Sequence, residues 1–238
     1  MLLGDLLQRS GVVETERDIK LINAPREVFQ IWRNREHIEI EATIVFDQLA
    51  KDLRELWGEQ DQISALALRS SHDELRHAKR CREILSHGPD LGPALTPNYK
   101  VQFGPANLSL IQRILYTAIG VCCITETMST ALLIEMHQRA NAGIIKNTIH
   151  EILVDEVDHG RIGWAIISRL SKTEDLSWIA EYLPKLIKEA FQSDITPMLG
   201  VTQDLSPWGI LLEKDARPIM NKTLETVIYP GLKSFGVE

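Results

Sequence analysis

The three cysteines, Cys81, Cys122 and Cys123, form no Cys-x-x-Cys pair, which argues against a thiolate zinc or iron–sulfur site. So few cysteines, and an odd number of them, fit a reducing compartment. Basic runs interleaved with aromatics are missing, and the net charge is −7. A nucleic-acid partner is therefore not expected. The first residues, Met1 to Arg9, lack a basic start and carry Asp5 inside their apolar run, a poor signal peptide. The sequence reads as having no charge-free apolar stretch of the length a membrane span needs. A cytoplasmic protein without a membrane partner is the resulting expectation. Low-complexity segments are also absent.

What is present is a globular composition. Hydrophobic residues make up 44% and charged residues 25% of 238 positions. A chain of this size suits one large helical domain, or one domain with an appendage. Pro25 and Arg26 open a helical pattern that runs to Trp57, with Gly58 just past its end. A second helix is expected from about Gln60 to His87. Residues 88–105 hold four of the ten prolines and three glycines, and read as a crossover connection. A third helix starts near Asn107 or Ser109, both candidate N-caps, and runs to about Ala140. A fourth follows a short turn and spans about Ile144 to Ser171. Short links join helices one to two and three to four, and a long link joins two to three. That is the connectivity of a four-helix bundle with one long crossover. Asp175–Ser193 and Asp215–Ile228 read as further helices. Pro184 is expected to kink the first, and Pro218 to fall in the first turn of the second. The expected division is an N-terminal segment 1–25, a bundle 26–171 and a C-terminal helical extension 172–238 packed on it.

Two helices carry the chemistry. Glu74-Leu-Arg-His77 and Glu156-Val-Asp-His159 are copies of Glu-x-x-His, each preceded by an aspartate, Asp73 and Asp155. A Glu and a His three apart project from one helix face. Glu74 and His77 fall within the apolar stripe of Ile63, Ala67, Ala78, Cys81 and Ile84. Glu156 and His159 fall within that of Ile149, Ile152, Gly163 and Ile166. Buried charge is costly unless it is paired or coordinates a metal. A lone Glu-x-x-His is usually a surface pair; two on core-facing stripes are not.

A bundle site of this kind needs a carboxylate from each remaining helix. Helix one offers Glu36, Glu39, Glu41 and Asp47. Glu39 lies about 50° from the centre of its apolar stripe and Glu41 about 100° away, so Glu39 is chosen. In helix three, Glu126 shares a face with Leu115, Ile119, Cys122 and Leu133, whereas Glu135 points the opposite way. The resulting set is Glu39, Glu74, His77, Glu126, Glu156 and His159. Its charge is −4 with both histidines neutral, which two divalent cations would balance. Oxygen-rich ligands with one imidazole per ion suit iron or manganese better than zinc.

These residues resemble the ferritin-like di-iron carboxylate superfamily over residues 26–171. The matching text is Glu39-Ile-Glu-Ala42 with Phe46 a turn on, Asp73-Glu74-Leu-Arg-His77, Glu126, and Asp155-Glu156-Val-Asp-His159. The spacing in helix one is similar to that of rubrerythrin-type proteins. The resemblance implies an all-α bundle in which Glu74 and Glu156 bridge two irons. Glu39 and Glu126 are then terminal ligands, and His77 and His159 bind one iron each. Asp73 and Asp155 hold the imidazole of the opposite motif. No rubredoxin-like Cys-x-x-Cys domain is present, which excludes a complete rubrerythrin. N-oxygenases of the superfamily place an extra histidine where this chain has Ile152, which weakens that reading.

Blander roles fit the remaining candidates. Core or end-of-bundle packing is expected for His137, core packing for Tyr116, Cys122 and Cys123, and a solvated setting for His37, His72 and His150. His150-Glu151 fails as a zinc-protease motif because Val154 stands in the second histidine position. The expected function is a non-haem di-iron oxidase or oxygenase that uses O₂ to oxidise a small organic substrate. Its cofactor is two iron ions, or manganese with iron, its electrons come from an external donor, and a homodimer is allowed. The alternative is a ferritin-like protein that binds iron or detoxifies peroxide. A metal-free interaction module is the third reading.

Overall fold

The computed structural model describes residues 21–93, 103–141 and 143–238. Most of the expected N-terminal segment, including the residues read against a signal peptide, lies outside the described residues. So does the middle of the crossover connection, 94–102. Among the described residues every regular element is helical.

Four long helices build the protein: α1 Arg26–Trp57, α2 Gln62–Leu85, α3 Leu110–Arg139 and α4 Ile144–Leu170. Their ends follow local chemistry. Gly58, at φ 89°, stops α1 and returns its N–H to the Arg54 carbonyl. The Asp61 side chain caps the N–H groups of Ile63 and Ser64, so α2 begins two residues later than expected. Of the two candidate caps for α3, Ser109 is used, in a capping box with Gln112. The α1 helix packs along α2, and α4 packs against both α2 and α3.

The α3 helix is not uniform. Ala118–Glu126 is π-helical, between α-helical turns Leu110–Thr117 and Thr127–Arg139. π-Helical backbone is rare and appears often at functional sites. By length and composition α3 could cross a membrane, although Glu126 interrupts it, so the expectation that no charge-free stretch reaches that length stands. In this fold 72% of its most apolar stretch is buried. Its apolarity is that of a helix enclosed by neighbours on several sides.

The C-terminal residues fold as α5 Leu183–Ile195 and α6 Glu213–Thr223, the latter continued by π-helical Leu224–Ile228 and a last turn, Tyr229–Lys233. Both expected proline roles require correction. Pro184 does not kink a helix: Ser177–Tyr182 is a separate 3₁₀ segment, and Pro184 sits in the opening turn of α5. The α6 helix begins at Glu213, two residues early, which leaves Pro218 inside it. The α5 helix packs on the π-helical part of α3, and α6 on its second half.

Close approach of α4 to α3 rests on Gly163. A Cβ there would lie 2.6 Å from Cys122 Cβ and 2.7 Å from the Ala118 carbonyl oxygen. Backbone cannot yield as a side chain can. Gly160, one turn earlier, would meet nothing closer than 3.6 Å. Opposite outcomes follow for two substitutions on one helix. Gly163→Val should destabilise the fold by about 2 kcal/mol through overpacking. Gly160→Ala should stabilise it by up to about 1 kcal/mol through helix propensity. Urea unfolding of the metal-free protein, followed by circular dichroism, measures both signs.

Candidate metal centre

Six side chains from the four long helices meet in the interior. They are Glu39 of α1, Glu74 and His77 of α2, Glu126 at the end of the π-helical part of α3, and Glu156 and His159 of α4. All six are buried. Glu39, Glu74, His77 and Glu156 place one ligand atom each within 4.8 Å of one another, as do Glu74, Glu126, Glu156 and His159. Each group can hold a metal ion, and Glu74 and Glu156 belong to both.

Helical spacing brings each Glu and His together. His77 Nδ1 is 3.4 Å from Glu74 Oε2, and His159 Nδ1 is 3.2 Å from Glu156 Oε2. The motifs also face each other: His159 Nδ1 is 2.9 Å from Glu74 Oε1. Both imidazoles therefore turn Nδ1 toward the carboxylates. Their outer nitrogens meet the aspartates crosswise, His77 Nε2 with Asp155 at 3.0 Å and His159 Nε2 with Asp73 at 3.6 Å. Arg76, on the outer side, bonds both aspartates at once, Asp73 at 2.8 Å and Asp155 at 2.5 Å. An Asp that accepts from Nε2–H leaves the Nδ1 lone pair for a cation.

The cluster is not satisfied by its own hydrogen bonds. Both carboxylate oxygens of Glu74, Nδ1 of His77 and Nε2 of His159 are buried without a hydrogen-bond partner. The 2.9 Å approach of His159 to Glu74 is close but misaligned for such a bond. Unpartnered buried polar atoms are rare, and they commonly mark a missing ion or water. Four acceptor carboxylates around two imidazoles fit a cation.

Burial and mutual repulsion set the protonation. Burial, together with neighbouring Glu156, pushes the Glu74 carboxyl up to about 7. Glu126 rises well above the carboxylate range for the same two reasons. Burial also raises Glu39, but Arg35 and His77 outweigh it and hold this carboxyl far below the usual range. Burial opposes charge on His77, yet Asp155, Glu39 and Glu74 push it up to about 12. Asp73, Glu156 and Glu74 likewise hold His159 well above its ordinary value. Without ions, the two imidazolium groups and Arg35 are the counter-cations of the cluster.

Two basic residues of the site, Arg76 and Arg35, have no role in the sequence reading. Arg35 donates from Nε to Glu39 Oε1 at 2.5 Å and from Nη2 to Ser129 Oγ at 3.2 Å, and it lies 3.9 Å from Glu156 Oε1. Its i, i+4 spacing from Glu39 was the available signal. The rejected carboxylates stand apart: Glu41 pairs with His37, Glu135 with Arg139, and Asp47 with Lys51. Glu36 is buried but paired with Arg82 of α2. His137 and His150 are partly buried and lie ring to ring at 5.5 Å, away from the cluster, and His72 is exposed. Tyr116 is a core residue packed edge-on against Phe103 and Tyr182. Cys122 and Cys123 are buried free thiols.

In comparison with known proteins, no family model, no curated protein and no solved structure matches this chain.

The protonation pattern fixes the sign of a pH effect. A cation can bind Nδ1 of His77 or His159 only after the proton leaves, and both imidazoles hold theirs at neutral pH. Ferrous uptake at pH 7 should therefore release at least two protons. Affinity should rise with pH, by at least about a hundredfold per unit, since Glu74 and Glu126 give up protons as well as the two imidazoles. Calorimetric titration in buffers of different ionisation enthalpy counts the protons directly.

Proposed function

We propose that this chain is a ferritin-like four-helix-bundle protein and a non-haem di-iron oxidase or oxygenase, acting on a small organic substrate with O₂. The observation that carries this reading is the pair of overlapping buried ligand groups that share Glu74 and Glu156. A shared carboxylate pair suits two ions at the short separation of two-metal sites, roughly 3.5–4 Å. His77 and Glu39 would hold one ion, and His159 and Glu126 the other. Iron, or iron with manganese, matches this oxygen-rich set with one imidazole per ion. When bound, such a pair supplies two-electron reduction of O₂ and oxidising power toward an unreactive substrate. Reducing equivalents for repeated turnover come from an external donor.

The chain's own residues have definable tasks. Asp155 fixes the His77 tautomer through Nε2 and so presents Nδ1 inward, and Asp73 stands 3.6 Å from Nε2 of His159 on the same outer side. Arg76 ties those two aspartates together across α2 and α4. Arg35 orients Glu39 and offsets the excess negative charge. Phe46, packed on the His159 ring at 5.1 Å, helps exclude water.

The iron-handling alternative differs in what the C-terminal residues should do. They would seal an assembly interface there, whereas an oxidase needs a substrate pocket beside the ions. A cleft does open beside Arg35, and Asp194, Pro197, Met198, Gly209 and Ile210 form part of its wall. This supports the oxidase reading.

Metal analysis after anaerobic ferrous loading tests the proposal. The expected result is about two irons per chain, the stoichiometry of a two-metal carboxylate bundle. Glu74→Ala, which removes a ligand shared by both groups, should lose most of that iron and abolish O₂ consumption. A wild-type protein that stays iron-free after loading overturns the reading.

A further inference from the structure

The cleft beside Arg35 contains two polar groups that the metal cluster does not satisfy. Asp194, near the end of α5, points Oδ2 into a buried setting without a hydrogen-bond partner. Arg35 spends Nε and Nη2 on Glu39 and Ser129, and Nη1 has no partner among the described residues. No Arg35 nitrogen comes within 4.0 Å of the Asp194 carboxylate, so the two are not an ion pair. Both line one cleft, between the first half of α1, the second half of α3 and the C-terminal residues. Ile31, Trp32, Leu132, Met136, Met198 and Ile210 give it apolar walls. Its free volume is about 40 Å³. One water needs about 10–15 Å³, so the cleft holds more than a single water.

An unpartnered carboxylate among apolar walls is costly, and a structural role would have closed it onto Arg35. The electrostatics narrow what can complete it. With two divalent ions the four glutamates are balanced, and Arg35 and Asp194 then balance each other. A net cation or net anion would leave one of the pair unmatched. A molecule carrying both charges, apolar in the rest of its body, matches both.

We propose that this cleft is a binding subsite for a small zwitterion, a free amino acid or a close relative. Its carboxylate meets the Arg35 guanidinium, and its ammonium meets the Asp194 carboxylate. As a substrate subsite it rests on the oxidase reading, because Arg35 is the direct link from cleft to Glu39 and Glu156. As a binding site it stands on the cleft alone. The arrangement also orders the molecule: its acid end faces the metal ligands, and its amino end faces α5.

Calorimetric binding to the full chain tests this, on metal-free and anaerobically iron-loaded samples of known iron content. The probes are the proteinogenic amino acids. Each that binds is compared with its decarboxylated amine and its deaminated acid, for alanine ethylamine and propanoate. At least one amino acid should bind, and both truncated partners should bind roughly tenfold or more weakly, since each loses one charged hydrogen bond. Asp194→Asn, of nearly unchanged shape, should weaken the amino acid by a similar factor and leave iron content unchanged. Met198→Trp, which fills the cleft from its wall, should abolish binding while iron loading persists. Iron-loaded protein that binds no amino acid, or binds amine or acid equally well, overturns the subsite and leaves the metal reading intact. Amino-acid binding to a protein that never takes up iron upholds the subsite and sinks the oxidase.

Discussion

Four carboxylates and two imidazoles inside a helical core are the constraint from which the rest of this structure follows. Each of the four long helices brings at least one of these groups inward, so none can rotate about its axis without exposing a charge or burying another. The protein answers with cations placed on two sides. Arg35 reaches Glu39 and Glu156 from within α1, and Arg76 clamps Asp73 and Asp155 behind the imidazoles. Removing either would leave buried carboxylates facing each other with less compensation, which costs more than the net worth of the ion pair itself. The orphaned atoms of Glu74 and the histidines show that these arginines do not complete the site. The unsatisfied Glu74 oxygens and Nδ1 of His77 are in its middle, among the groups that could hold a metal ion.

Backbone irregularity serves the same constraint. The π-helical turns of α3 end at Glu126, which, like Glu39, comes without a histidine three residues on. Gly163 lets α4 approach those turns so closely that the Ala118 carbonyl touches where a side chain would begin. Buried thiols of Cys122 and Cys123 fill the same contact. Small side chains at this crossing set the distance between the Glu126 and Glu156 backbones. A larger residue there would separate two carboxylates that one of the ligand groups needs together. The local cost of an uncommon helix geometry is offset by the position it gives to Glu126.

Much of this is legible in the sequence, and the reasons are local. The Glu-x-x-His pairs fall on apolar stripes, and face counting at a uniform step rejects Glu41 and Glu135, which the structure places in peripheral pairs with His37 and Arg139. Capping chemistry marks Gly58 and Ser109. What escaped is tertiary or departs from ideal helix geometry. The uniform step cannot see π-helical turns, because the hydrogen-bond shift leaves no signature in polarity. Pro184 and Pro218 were assigned to wrong turns because helix starts shift by a few residues when the first turn lacks a side-chain cap, as in α5 and α6. Arg35 was visible as an i, i+4 partner of Glu39, yet nothing local says that its other donors turn toward Ser129 and a cleft. Asp194 had no sequence signal at all; its role depends on where the extension folds back.

The centre therefore has two unlike sides. Behind the imidazoles, Asp73, Arg76 and Asp155 form a closed polar lattice between α2 and α4, with hydrogen bonds spent on orientation. On the side of α1 and α3, Arg35 borders a cleft with largely apolar walls and Asp194 in its lining. Arg35 lines that cleft, and its Nε holds Glu39. Occupancy of the cleft and the orientation of Glu39 thus share one guanidinium. An anionic group drawing on Nη1 competes electrostatically with Glu39 for the same positive charge, and weakens the hold on a carboxylate that a metal would also claim. Coupling of this kind needs no moving domain. It requires only that one cation serve two acceptors, for which the planar, five-donor guanidinium is pre-organised.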